Sequence, residues 1–251
     1  MKPISVQLYS LREEAKKDFK GVLKRLAKIG FVGVEPAGLH GLSPKEFKET
    51  IDELGLKVSS SHVPFPTEEN IKEIAETARI LGQQYVISGF GRKAFENIDT
   101  IKETAGKINK AISLIKKENL KFAMHNHDFE FAMINGRLAY DHLFELTPDL
   151  ELEIDTYWAS NFEANDPAKM VAKFNSRTPF LHIKDGPLTK DAPMVAAGKG
   201  KMDFKKVIAA ADPKVLQWLV VELDACATDM FTAVEESYVY LTKQGLAKGN
   251  R

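Results

Sequence analysis

Ile4-Ser5-Val6-Gln7-Leu8-Tyr9 reads as a short β-strand, and Val32-Gly33-Val34-Glu35 reads as a second. Between them, Val22, Leu23, Leu26 and Ile29 recur at helical spacing over residues 18–29, and Gly30 stops the helix. Strand, helix and strand within about 30 residues form one βαβ unit, whose strands lie parallel.

The same pattern continues along the chain. Ser43 can cap and Pro44 can start a helix that ends at Gly55. Strand-like residues 57–62 precede a helix capped by Thr67 and ending at Gly82, and residues 85–88 precede a helix over 99–118. Residues 121–127 form the fifth strand, after which Ile134-Asn135-Gly136-Arg137 has the chemistry of a hairpin turn. A short helix over 140–146 leads to the sixth strand, 150–155, and then to a helix capped by Asp166 and opened by Pro167. The seventh strand covers 180–185, with a helix from Asp203; the eighth covers 216–224, with a closing helix over 228–244. Eight such units, with no linker or composition break, predict a single (β/α)8 TIM barrel of class α/β over residues 1–251.

Composition narrows the function. Thirty-five basic residues balance 35 acidic ones, so no net field draws the chain to nucleic acid. Apolar runs such as Leu219-Val220-Val221 are far too short to span a membrane, and the N-terminus enters a strand without a signal-peptide pattern. The single cysteine, Cys226, cannot form an internal disulfide. These features predict a cytoplasmic protein, with a homo-oligomer left open.

Strands of a parallel barrel are buried on both faces and should be apolar. Here polar residues collect at their C-terminal ends: Glu35, His62, His125 with His127, Asp155, His182 with Lys184, and Glu222 with Asp224. Burying such groups is costly unless water, metal or substrate compensates them, and barrel active sites lie at this end. Asp, His and Glu from neighbouring strands make a suitable ligand set for Mn²⁺, Zn²⁺, Co²⁺ or Fe²⁺. Gln7, Glu35, His62 and Trp158 are candidates for contacting a substrate. Gly198-Lys199-Gly200-Lys201 reads as a turn before the Asp203 cap or, less favoured, as a phosphate loop.

Taken in order, Val6-Gln7-Leu8-Tyr9-Ser10-Leu11-Arg12, Gly33-Val34-Glu35, His125-Asn126-His127-Asp128-Phe129-Glu130-Phe131, Asp155-Thr156-Tyr157-Trp158, Leu181-His182-Ile183-Lys184-Asp185 and Val221-Glu222-Leu223-Asp224 resemble the sugar phosphate isomerase/epimerase superfamily with the xylose isomerase-like barrel. The resemblance covers essentially the whole chain. It implies one divalent metal (Mn, Zn or Co) held by a Glu from the fifth strand, an Asp from the sixth, a His from the seventh and a Glu from the eighth. Asp155, His182 and Glu222 match, whereas the fifth strand has His125-Asn126-His127 in place of Glu-Asn-His. Either His125 takes the ligand position or Glu130 folds back to supply a carboxylate. His125 is favoured because it occupies the matching position and imidazole is an equally good ligand.

The resemblance also implies sugar chemistry through an enediolate, with Glu222 as base and His125 in the position opposite it; Lys184, two residues after His182 and in inward register, is a candidate general acid or oxyanion partner. His127 and Glu130 are further candidates for substrate contact. Isomerisation or epimerisation of a ketose or keto-sugar is the first expectation. Elimination by an inosose dehydratase-like or 3-keto-glycoside lyase is the second, and a metal-free sugar-binding barrel the third. The superfamily's DNA-repair branch needs a basic groove and more than the six histidines present, so no nucleic-acid partner is expected.

Overall fold

The computed structural model describes residues Met1–Arg251. Its strands in chain order are β1 (Lys2–Gln7), β2 (Gly33–Glu35), β3 (Lys57–Val58), β4 (Ser61–His62), β5 (Tyr85–Ser88), β6 (Lys121–His125), β7 (Met133–Ile134), β8 (Arg137–Leu138), β9 (Glu151–Asp155), β10 (Phe180–Ile183), β11 (Trp218–Val221) and β12 (Ala247–Lys248). The helices are α1 (Arg12–Ile29), α2 (Pro44–Glu53), α3 (Ile71–Leu81), α4 (Ile98–Lys117), α5 (Ala139–Leu146), α6 (Thr156–Ala159), α7 (Pro167–Phe174), α8 (Phe204–Ala209) and α9 (Met230–Lys243). Neighbouring strands pair in parallel in the order β3-β2-β1-β11-β10-β9-β6-β5-β4, and β3 and β4 are two halves of one strand. A nearly closed eight-stranded barrel results, in agreement with the sequence. Its third strand breaks at Ser59 and Ser60: β3 pairs only with β2, and β4 with β5. The gap is spanned where the His62 N–H donates to the Pro36 carbonyl, at 2.9 Å.

Strand alternation sorts the core into two layers. Outward residues such as Ile4, Val6, Leu181 and Leu219 pack under the helices in the main apolar cluster. Inside the barrel, Tyr85, Ile87, Ala123, Phe180 and Val220 form a smaller apolar plug. Gly33 matters here, because a Cβ would press against the Trp218 ring and the Lys57 carbonyl, both at 3.0 Å. Above the plug, the inward side chains become polar, and that level carries the candidate site.

Several boundaries differ from expectation for identifiable reasons. The first helix starts at Arg12 and kinks at Asp18, where φ and ψ are −152° and 83°. The Asp18 carboxylate accepts the Gly21 N–H at 2.8 Å, so Asp18 caps the second segment. The third helix starts at Ile71, since Asn70 turns its carboxamide back onto the Thr67 N–H, at 2.7 Å. Strands β6, β10 and β11 end before His127, Lys184 and Glu222, which stand at the starts of loops. The hairpin at Asn135-Gly136 is present, with φ of 50° and 78°. No helix is long and apolar enough to cross a membrane.

Candidate functional site

A cavity of about 540 Å³ opens at the C-terminal ends of the barrel strands. Tyr9, Phe90 and Trp158 give it apolar walls; His62, His125, His127, Lys184, Glu222 and Asp224 give it a polar lining. Asp155 and His182 are fully buried and absent from that lining. Ligand atoms of His125, Asp155, His182 and Glu222 all lie within 4.8 Å of one another. The four residues singled out as metal ligands therefore converge from adjacent strands.

The local sequence explains the convergence. On β9, Glu151-Leu152-Glu153-Ile154-Asp155 alternates strictly, so period two turns three carboxylates into the barrel. Asp155 Oδ1 accepts the backbone N–H groups of Tyr157 and Trp158, both at 3.0 Å, and so caps α6 and sets Trp158 at the cavity wall. Asn126 ties β6 to β9: its Oδ1 accepts the Asp155 N–H at 2.9 Å, and its Nδ2 donates to the Asp155 carbonyl at 3.2 Å.

Charges are densely paired. The buried Lys184 ammonium lies 2.8 Å from Asp155 Oδ2, Glu222 Oε2 and Asp224 Oδ2. Its partners are thus these three carboxylates, and Asp185 is not among them. Burial opposes the ammonium, but Asp155, Glu222 and Asp224 outweigh it and hold the Lys184 pKa well above the ordinary lysine value. His182 Nδ1 is 2.7 Å from Glu222 Oε2, and its Nε2 is 2.8 Å from Glu35 Oε2. Against the effect of burial, Glu153, Glu222 and Glu35 raise the His182 pKa well above that of free imidazole. Burial pushes His125 down to about 3, so its imidazole is neutral and has a lone pair to offer. Glu222 is held well below the usual carboxylate range, because Lys184 and His182 overcome its burial.

These residues fit a divalent cation. Two carboxylates and two imidazoles form a suitable donor set, and buried Asp155 Oδ2 makes no well-aligned hydrogen bond despite the nearby ammonium. Lys184 supplies positive charge at the oxygens a metal would use, so a metal would have to compete with it there.

Other expected site residues fall elsewhere. Gln7 and Glu35 are fully buried below the cavity: Gln7 Nε2 donates to Glu35 Oε2 at 2.9 Å, and Ser60 donates to Glu35 Oε1. Neither lines the cavity wall, because both end inside the barrel. Glu130 is also buried, outside the four-ligand group; its Oε2 accepts the His127 N–H at 2.8 Å and shapes the loop behind His127. His127 itself reaches the cavity, stacked on Phe129. Glu153 was missed in the sequence reading, although the alternation on β9 carried its signal. Its Oε2 lies 2.7 Å from His62 Nε2 and 3.1 Å from His125 Nδ1. The glycine-rich loop turns its N–H groups onto a protein carboxylate: Asp185 accepts from Gly186, Gly198, Gly200 and Met202. That leaves the phosphate reading without the N–H groups it required.

Comparison with known proteins places this geometry. A solved structure described as a sugar phosphate isomerase/epimerase from Parabacteroides distasonis is 26% identical, with a TM-score of 0.81 over 98% of this chain and 96% of that one. A probable 3-DHS dehydratase, AsbF, from Bacillus anthracis shares the fold at 13% identity, with a TM-score of 0.75 over 96% of this chain and 99% of that one. A D-tagatose 3-epimerase-like protein shares it at 17% identity, with a TM-score of 0.69 over 98% and 100% of the two chains. No curated protein sequence matches the chain. The family model for the xylose isomerase-like TIM barrel matches residues 23–237, which span most of the barrel, and the chain accordingly belongs to that family.

Proposed function

We propose that this protein is a divalent-metal-dependent isomerase or epimerase of a ketose or keto-sugar. The observation that carries this reading is the set of four ligand atoms from His125 and Glu222, which line a cavity walled by Tyr9, Phe90 and Trp158, and from Asp155 and His182, buried behind them. A bound Mn²⁺, Zn²⁺ or Co²⁺ supplies Lewis-acid polarisation of a carbonyl and its neighbouring hydroxyl. The chain's residues do the rest. Aromatic walls take the apolar face of the sugar ring, while His62 and His127 offer hydrogen bonds to hydroxyls. Glu222, at the cavity floor, removes the proton α to the carbonyl, and the bond electrons move to the carbonyl oxygen to give an enediolate. Lys184, held as an ammonium by Asp224, donates a hydrogen bond to the developing oxyanion.

His125 stands opposite, but a ligand's lone pair is committed. One base, Glu222, then removes the proton and returns it on one face, which favours isomerisation between adjacent carbons over inversion at one carbon. The position of Lys184, 2.8 Å from Glu222, also supports a second reading. There the enediolate electrons expel a β-leaving group, and Lys184 protonates its oxygen, giving elimination.

Incubation in D₂O with a panel of ketoses, inososes and 3-keto-glycosides tests both. Deuterium should appear next to the carbonyl of the substrate, and Glu222→Gln should abolish it at measured metal occupancy. Retention of every carbon-bound oxygen marks isomerisation; an enone or a released aglycone marks the lyase. Turnover without deuterium uptake or elimination would remove Glu222 from the role of base.

A further inference from the structure

Beneath the four candidate ligands lies a second layer that the proposed reaction does not use, Glu153 and Glu35; His62 reaches down to it from the cavity wall, with its Nε2 2.7 Å from Glu153 Oε2. The imidazoles of His125 and His182 stand between the two layers, each with one nitrogen facing each. His125 Nδ1 is 3.1 Å from Glu153 Oε2, and its Nε2 faces Asp155 Oδ2 at 4.0 Å. His182 Nε2 is 2.8 Å from Glu35 Oε2, and its Nδ1 is 2.7 Å from Glu222 Oε2.

An ionised carboxylate only accepts hydrogen bonds, so a ring nitrogen that bonds to it carries the hydrogen. For His125 this hydrogen is on Nδ1, although free imidazole in water favours Nε2–H. Only a neutral nitrogen without hydrogen can ligate a metal. The opposite tautomer would point an N–H at Asp155 and Glu222. Glu153 is also costly to keep. It is fully buried, and its Oε1 has no hydrogen-bond partner, whereas an apolar side chain at this level would simply extend the plug.

We infer that Glu153 is a positioning residue that holds His125 as its Nδ1–H tautomer and so aims the Nε2 lone pair at the Asp155–Glu222 side. At His182 both nitrogens face carboxylates, Nε2 towards Glu35 and Glu153 and Nδ1 towards Glu222, so the sorting of one tautomer is particular to His125. The role of this layer rests on the metal reading above; the tautomer does not.

The test uses the whole chain labelled with ¹⁵N at histidine. Long-range ¹H–¹⁵N spectra of the metal-free protein, assigned by single histidine substitutions, should show His125 protonated at Nδ1 and bare at Nε2. A His125 ring protonated at Nε2 overturns the inference whether or not metal binds. Zinc titration by calorimetry then separates the two ideas. If the unaltered protein takes no Zn²⁺, the metal reading fails while the spectrum still decides the tautomer. If it takes one ion, Glu153→Gln should weaken binding about 10- to 100-fold and bring up Nε2–H signal at His125. Unchanged affinity in Glu153→Gln overturns the positioning role. So does uptake of two Zn²⁺ per chain, because His125 Nδ1 would then be a ligand in the lower layer. Should Glu153→Gln fail to fold, the spectrum of the unaltered protein decides alone.

Discussion

Lys184 shows how a single side chain balances the candidate site. It joins Asp155, Glu222 and Asp224 while almost fully buried. Removing one partner of a buried ion pair typically costs about 3–5 kcal/mol. Lys184→Met should therefore lower the metal-free protein's stability by about that amount, as read by urea denaturation. The same change removes a competing cation, so Mn²⁺ should bind more tightly and restore much of the loss. A variant that is destabilised and no tighter for metal would refute the competition. His182 adds a pH dependence with a definite sign. Its folded pKa lies above the unfolded value near 6.5, so its stabilisation is complete below about pH 6.5 and fades as pH rises through the folded value. Metal affinity should run the other way and increase with pH, because His182 Nδ1 must shed its hydrogen to bind. Stability curves with and without Mn²⁺ should diverge above neutrality, and parallel curves would exclude this assignment.

At the scale of elements, the loop between β10 and α8 owes its shape to Asp185. One carboxylate collects four backbone N–H groups, from Gly186, Gly198, Gly200 and Met202. Gly200 has to lack a side chain, since a Cβ would overlap the Asp185 carboxylate. Asp185→Ala strands those donors and should cost about 3 kcal/mol, given the strength of hydrogen bonds to charged groups. Limited proteolysis should cut near residues 187–201, and Gly200→Ala should give the same cleavage pattern. Inorganic phosphate should protect neither variant; protection would revive the loop as an anion site. The kink in α1 obeys the same logic, with Asp18 leaving the helical conformation to cap the segment that begins after it.

For the molecule as a whole, the candidate centre joins four strands, β6, β9, β10 and β11, or the loops they lead into. An ion bound there stabilises the folded barrel over the unfolded chain. At 100 times the dissociation constant the linkage is about 2.7 kcal/mol. For a chain of this size that corresponds to about 5–10 °C in melting temperature. Differential scanning calorimetry with and without saturating Mn²⁺, Co²⁺ or Zn²⁺ checks it. No shift with any of the three would count directly against a metal centre that spans these strands.

Local patterns were enough to read the barrel and the polar strand ends, and the family resemblance singled out His125, Asp155, His182 and Glu222 among them. Strand and helix periods repeat eight times, and a polar residue at the end of an apolar strand stands out against its neighbours. The depth and pairing of those residues were not legible. Gln7 and Glu35 carry the same strand-end signal as His62, yet they are spent on each other and on His182 inside the barrel. Glu153 alternates visibly on its strand, but its meaning depends on three histidines brought to it from β4, β6 and β10. Asp185, adjacent to Lys184 in sequence, pairs with a loop, while Lys184 reaches across to Asp224 in the loop after β11. Periodicity is local, so the sequence alone determined which faces turn inward. Which inward groups meet, and which cation offsets which carboxylate, depends on distances across the barrel, and only the closed tertiary structure decided them.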